Sequence, residues 1–314
     1  MESLLAFSVT QNVSDLHLSG DGNVIIRQNG NLTQLDGCKL NTYDLKNKLL
    51  SLLSNKQLQK FEKEKQLDFV YSHQDLGRFR YHIFYQANGI SACIRIINNI
   101  IPSFYDIGAP EIFKSLALKH QGLILITGAT GSGKSTTLAA MIEYINQNEY
   151  KHIITLEEPI EFIYQNTKSL IQQREIGMHC NSYSDGLKAV LRQDPDVIVI
   201  GELRDKVTIE GALQAAETGH IVFATLHTNS AISTINRIIN VFPDESRYFI
   251  RTQLANSLQC IVAQQLIACN QSHRKAIFEI LINIPAVSNL IQEGKTKQLV
   301  SVMQMGKEYG MQLF

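Results

Sequence analysis

The spacing of apolar residues changes once along the chain. From about residue 111 onward, continuous apolar runs (LILIT, HIITLE, VIVIG and IVFATL) are separated by stretches whose apolar positions recur every three or four residues. Uninterrupted runs suit strands buried on both faces, and their alternation with helices predicts a largely parallel sheet covered on both sides. Before residue 98 the pattern is different. The runs LHLS, NVIIRQ, LDFVYS, RFRYHIFYQ and SACIRII are rich in β-branched and aromatic residues, with Gly-Asp, Gly-Asn and Asn-Gly pairs between them. That composition predicts an antiparallel sheet. Between the second and third runs, Thr42 to Lys65 carries Leu45, Leu49, Leu52, Leu53, Leu58 and Phe61. Their spacing predicts one or two amphipathic helices lying on that sheet.

The change of period implies an N-terminal domain over residues 1–97 and a C-terminal domain over 111–314. The stretch 98–110 holds turn formers with Pro102 and Pro110, and reads as a linker. A chain of 314 residues has enough length for two cores. Lys+Arg number 29 and Asp+Glu 29, so the formal charge is zero and gives no support for a nucleic-acid partner. The opening MESLLAFSVTQNVSD lacks the basic and apolar regions of a signal peptide. No run approaches the roughly 18 apolar residues of a membrane span. Cys38, Cys93, Cys180, Cys260 and Cys269 form no C-x-x-C pair, which argues against a zinc site or disulfide framework and fits a reducing cytoplasm.

The first of the buried runs leads directly into GATGSGKS, Gly128 to Ser135, and Thr136 to Ile145 then reads as a helix. Strand, glycine loop and helix is the setting in which G-x-x-x-x-G-K-[ST] holds a nucleoside triphosphate. Gly128, Gly131 and Gly133 let main-chain amides point at phosphate oxygens, with Thr130, Ser132 and Thr136 completing the cradle. Lys134 reaches the outer phosphates, Ser135 ligates Mg2+, and the helix start favours anions.

Further candidates lie at the ends of the other apolar runs. The run from Asp194 to Gly201 ends in Glu202, and a carboxylate there can complete a magnesium shell or orient water. The alternative for Glu202 is an ion pair with Arg204. Glu157, Glu158 and Glu161 follow the strand IITL, close enough to repel one another unless a cation neutralises them, or else they form a solvated loop. His220 and His227 bracket IVFATL, seven positions apart and so on opposite faces of a strand. Either could sense the outer phosphate or be a hydrogen-bonded structural histidine. Arg78, Arg80 and Arg95 lie on N-terminal strands, where they could supply transition-state charge from outside the phosphate site or be solvated.

Taken in order, GATGSGKSTTLAAM, ITLEEPIEF, LRQDPDVIVIGELRD and AAETGHIVFATLHTNSA resemble the Walker A, Asp, Walker B and His boxes of secretion and pilus ATPases. Within that superfamily the chain is most similar to the type IV pilus retraction (PilT) family. SDLHLS, LIQQREIG and NLIQEGK extend the likeness over nearly the whole chain. The resemblance implies an α/β fold with a RecA-like P-loop ATPase core and a smaller PAS-like α+β N-terminal domain. It further implies a homo-hexamer hydrolysing ATP with Mg2+, cytoplasmic and peripheral at the inner membrane, held there by a pilus platform protein. By motif position, Lys134 and Ser135 take the nucleotide and metal, Glu157 and Glu202 serve hydrolysis, and His220 and His227 form the His-box pair. Arg78, Arg80 and Arg95 fall where that family presents cations across a subunit interface.

Assembly motors of the superfamily carry a long N-terminal extension and a tetracysteine motif that are missing here, which favours retraction. Four departures set the chain apart from the family pattern. Glu158 replaces the usual aspartate, Ser288 and Gln292 stand where retraction motors show arginines, and Ala268 and Cys269 replace a proline-arginine pair. The chain also ends at Phe314, short of the C-terminal helices of most relatives. A divergent type II/IV secretion ATPase, or a nucleotide-binding accessory factor weak in hydrolysis, is the alternative reading. A nucleic-acid translocase of the same core is a third.

Overall fold

The computed structural model describes residues 1–11, 13–28, 30–97, 100–270 and 273–314. Asn98 and Asn99 of the expected linker lie outside the described residues, as do the side chains of Ala268 and Cys269. The chain divides into two compact units, Met1–Ile100 and Ile101–Phe314. Residues 101–110 group with the second unit, where the Phe104 ring lies 6.1 Å from that of Phe113 and 5.0 Å from that of Tyr144.

The first unit runs α1 (Glu2–Thr10), β1 (Asp15–Ser19), β2 (Asn23–Gln28), β3 (Asn31–Lys39), α2 (Thr42–Leu50), α3 (Asn55–Glu64), β4 (Gln66–His73), β5 (Gly77–Gln86) and β6 (Gly89–Ile97). Its six strands form one sheet in the order β3-β2-β1-β6-β5-β4, antiparallel throughout. One face buries Leu16, Leu18, Phe79, Tyr81 and Ile83 against Leu45, Leu49 and Phe61 of the two covering helices. Thr42 to Lys65 breaks into two helices because Ser54 starts a new one: its hydroxyl accepts the Gln57 N–H while the Gln57 side chain accepts the Ser54 N–H. The sequence pattern did not reveal α1 or β3. Only Leu5 and Ser8 of α1 are buried, and β3 is a polar edge strand exposed along most of its length.

The second unit has a seven-stranded sheet in the order β13-β12-β7-β11-β10-β8-β9. The strands are β7 (Gly122–Thr127), β8 (His152–Glu157), β9 (Leu170–Glu175), β10 (Val197–Ile200), β11 (Ile221–Leu226), β12 (Leu258–Asn270) and β13 (His273–Ile282). All pairs are parallel except the terminal β12–β13 hairpin. The helices are α4 (Ile112–Ala117), α5 (Lys134–Asn148), α6 (Tyr183–Val190), α7 (Lys206–Glu217), α8 (Ala231–Asn240), α9 (Asp244–Ser257), α10 (Pro285–Gln292) and α11 (Leu299–Met305).

Alternate residues of β7 feed opposite layers, as the strand period requires. Ile124 and Ile126 pack with Phe113, Met141 and Ile142 of α4 and α5. Leu123 and Leu125 pack on the other face with Leu187, Ile209, Leu213, Ile235 and Leu254 of α6 to α9. Every residue of β7, β10 and β11 is buried, which explains why these strands read as unbroken apolar runs. No helix among the described residues is long and apolar enough to cross a membrane.

Phe113 is wholly buried, with its ring 5.2 Å from that of Phe278. Phe113→Ala is expected to lower the free energy of urea unfolding by about 3–5 kcal/mol. Ser54→Ala, which removes one cap, is expected to cost about 1 kcal/mol. Similar losses for the two would contradict the placement of Phe113 at the centre of a packed layer.

Candidate functional site

Because β7, β8, β10 and β11 run parallel, their C-terminal ends lie along one edge of the sheet, where the loops that follow them converge. The phosphate loop leaves β7, Glu157 closes β8, Gly201-Glu202 follows β10, and His227 follows β11. Helix α5 begins at Lys134, and its N-cap, Gly133, is left-handed and offers no side chain to the first-turn amides. Those amides are therefore free for an anion. The Ser132 hydroxyl is buried beside them without a hydrogen-bond partner among the described residues. An uncapped helix start, a left-handed glycine and an orphaned donor together fit a phosphate group.

Lys134 is buried by its own loop. Its ammonium donates to the carbonyls of Gly128, at 2.8 Å, and Ala129, at 3.0 Å. It also lies 3.3 Å from His227 Nδ1. Desolvation pushes the Lys134 pKa below the usual lysine value, and the charges of Glu202 and Glu161 oppose the shift. On the other side of the imidazole, Nε2 is 3.2 Å from Glu202 Oε1. These two contacts select the Nε2–H tautomer, with Nδ1 accepting from the lysine.

Arg204 continues the chain of contacts. Its Nε donates to Glu202 Oε2 at 2.7 Å, and its Nη1 donates to Glu158 Oε2 at 2.9 Å. The hydrogen bond to Glu202 raises the arginine's pKa further. The ion pair with Arg204 weighed for Glu202 is thus present, and it is one link of a longer chain running Lys134, His227, Glu202, Arg204, Glu158. Glu202, Arg204, His227, Thr228 and Arg237 line a cavity of about 370 Å³ at this edge. Gly201 is required by close packing: a Cβ there would lie 2.9 Å from the Tyr183 hydroxyl and 3.1 Å from the Leu156 carbonyl.

Glu157 has a setting of its own. One of its oxygens accepts from Thr155 Oγ1 at 2.6 Å and from Gln173 Nε2 at 3.0 Å. Desolvation nevertheless dominates and raises its pKa above the usual carboxylate range. His220 is not brought to this edge. It precedes β11, so the strand's six residues, roughly 20 Å, separate it from His227. Its Nδ1 lies 3.0 Å from the Ala215 carbonyl.

Arg78, Arg80 and Arg95 lie in the first unit. Arg78 and Arg80 alternate with buried Phe79 and Tyr81, and Arg80 pairs across strands with Arg95, so all three share the face turned away from the core. Arg95 Nε is 2.8 Å from Asp15, and Arg80 Nε is 3.7 Å from Asp68. Sequence reasoning did not single out Gln264, a buried polar residue that contacts the phosphate loop from β12. The signal available was a glutamine closing the apolar run CIVAQ.

Residues 12–308 match the family model described as Type II/IV secretion system protein. The chain belongs to this family. Among relatives of the secretion family, it is 43% identical over 309 residues to the type IV pilus retraction ATPase PilT of Pseudomonas aeruginosa, covering 98% of this chain and 90% of the relative. It is 46% identical to an Escherichia coli K12 protein called YggR, covering 100% of this chain and 95% of that one. The type IV pilus ATPase PilU of P. aeruginosa is 38% identical, at 100% and 82% coverage. A crystal structure of the pilus retraction motor PilT with bound ADP superposes with a TM-score of 0.92 at 43% identity, over 96% of this chain and 89% of that one. The Legionella pneumophila ATPase DotB gives 0.85 at 27% identity, over 100% and 88%. The second unit is accordingly the RecA-like ATPase core of this family, and the first is its smaller N-terminal domain.

Arg204 is the cation shared by Glu202 and Glu158, and both ion pairs are partly exposed. Arg204→Ala is therefore expected to change stability by less than about 1 kcal/mol. By releasing Glu202 it is expected to slow ATP hydrolysis by up to about 100-fold, measured as phosphate release. A large drop in melting temperature with hydrolysis intact would contradict this reading.

Proposed function

We propose that the chain is a ring-forming motor ATPase of a type IV pilus machine that hydrolyses ATP to drive pilus retraction. The observation that carries this reading is the contact chain from Lys134 through His227 to Glu202, set at the mouth of an uncapped phosphate loop. The pilus context rests on the similarity to retraction ATPases over nearly the full chain.

In this reading the amides from Gly128 to Thr136 wrap the phosphates of ATP, and the Lys134 ammonium leaves its carbonyl partners for the outer phosphates. Ser135 and Glu202 would hold Mg2+, which when bound neutralises phosphate charge. Withdrawal of Lys134 removes one of the two partners of His227, so the imidazole reports occupancy to Glu202. Glu157 is the residue we assign to water. A carboxylate whose proton affinity is raised by burial is a better base than an exposed one. Arg78, Arg80 and Arg95 are assigned to a neighbouring copy's nucleotide in a homo-hexamer, and His220 to the His-box role implied by its motif. The ring would work in the cytoplasm, at the inner membrane through a platform protein.

A specific observation favours the accessory-factor alternative. Ser288 and Gln292, in place of arginines, are turned toward α9: Ser288 Oγ donates to the Ala255 carbonyl at 3.0 Å, and Gln292 Nε2 lies 3.5 Å from Asn256 Oδ1. They stabilise α10 on α9 and offer no charge to a partner.

Two measurements separate the readings. Purified protein is expected to release phosphate from ATP, and Lys134→Ala to slow this at least about 100-fold. Glu157→Gln is expected to abolish turnover while leaving nucleotide affinity unchanged. A deletion strain is expected to carry excess surface pili and to lose twitching. Binding without turnover in the wild type would favour the accessory factor, and unchanged pili would remove retraction from the proposal.

A further inference from the structure

We propose that the β12–β13 hairpin is the frame that positions both the phosphate loop and the segment carrying His227, through two buried polar side chains, Gln264 and Glu279. The proposal rests on the nucleotide-site reading above. It adds two positioning residues on an element outside the four motif boxes.

Gln264 is 2% exposed and lies directly behind the loop. Its Nε2 donates to the Ser132 carbonyl at 2.8 Å, and its Oε1 accepts from Thr137 Oγ1 at 2.7 Å. One carboxamide thus ties the tip of the phosphate loop to the first turn of α5, with Lys134 between the two tied residues. The glycines of the loop make this approach possible. A Cβ on Gly133 would lie 2.8 Å from Gln264 Nε2, and one on Gly128 would run into the Gln264 carbonyl. A buried amide with both ends satisfied fixes one arrangement of its partners, because any other leaves a donor or acceptor unmet.

Glu279 does the equivalent for the His227 segment. It is 9% exposed, and its Oε1 accepts from the Ala231 N–H, the first amide of α8, at 2.6 Å. The segment between His227 and α8 is tied again by Thr228 Oγ1, 2.6 Å from Thr234 Oγ1. Burial raises the Glu279 pKa, while the amide it accepts from favours the charged form.

The two clamps occupy adjacent rungs of one ladder: Ala263 faces Glu279, and Gln264 faces Phe278. The 3.3 Å separation of Lys134 from His227 is therefore held between two loops anchored on the same pair of strands.

The test uses the purified full chain. Binding of a fluorescent ADP analogue with magnesium is measured at equilibrium, and amide hydrogen exchange is followed without nucleotide across residues 128–137 and 227–234. Gln264→Met is expected to weaken binding about tenfold and to speed exchange in the first segment. Glu279→Met is expected to speed exchange in the second segment and weaken binding similarly, while Glu279→Gln, which keeps an acceptor for the Ala231 amide, returns both to wild-type values. If Gln264→Met fails to fold, Thr137→Val, which frees one end of the carboxamide, decides by the same readings. Folded variants with unchanged exchange and affinity overturn the proposal. If the wild type does not bind the analogue, the nucleotide reading fails, and the exchange data alone decide whether the hairpin is the frame.

Discussion

Strands β7, β10 and β11 are buried along their whole length. Each main-chain N–H and C=O inside them must be met by a neighbouring strand, and a charged side chain is tolerated only where a strand ends. Parallel pairing then brings all the C-terminal ends to one edge. The four motif boxes, separated by many residues in the chain, meet there because there is nowhere else for their polar members to go. Lys134, Glu202 and His227 are neighbours for this reason, and His220, at the other end of the same strand, is not.

Long-range order inside the site comes from charge neutralisation. Lys134 is buried and Glu202 is largely shielded from water, and each has partners that satisfy it. The imidazole between them is the one link that both accepts and donates, so a change at either end is felt at the other. Arg204 carries the link onward to Glu158 at the end of the adjacent strand. Glu158 is exposed and meets that guanidinium across a loop.

Much of this was legible from residue order. The buried runs and the glycine loop gave the central strands, because a strand covered on both faces admits few residue types. The N-terminal strands showed through their β-branched and aromatic runs between turn-forming pairs, and the two covering helices through leucine spacing. What escaped has a common physical cause. The polar edge strand β3, helix α1 with only two buried residues, and β9, which shows no continuous apolar run, carry no strong periodicity. The β12–β13 hairpin is apolar enough, yet its role depends on Gln264 and Glu279, whose partners lie 132 and 48 residues away in the chain. Spacing along a sequence does not reveal a contact of that kind. Nor did it show that Glu202 has both oxygens engaged, because that depends on the rotamers of Arg204 and His227 together.

The loop carbonyls around the Lys134 ammonium have a consequence for what can bind there. Two main-chain oxygens and an imidazole satisfy the hydrogen-bonding capacity of that cation, while its positive charge and the uncapped start of α5 remain. A ligand that engages the ammonium must bring acceptor oxygens to exchange for those three partners, so the loop is matched to an anion rich in acceptors rather than to one with a single oxygen to offer.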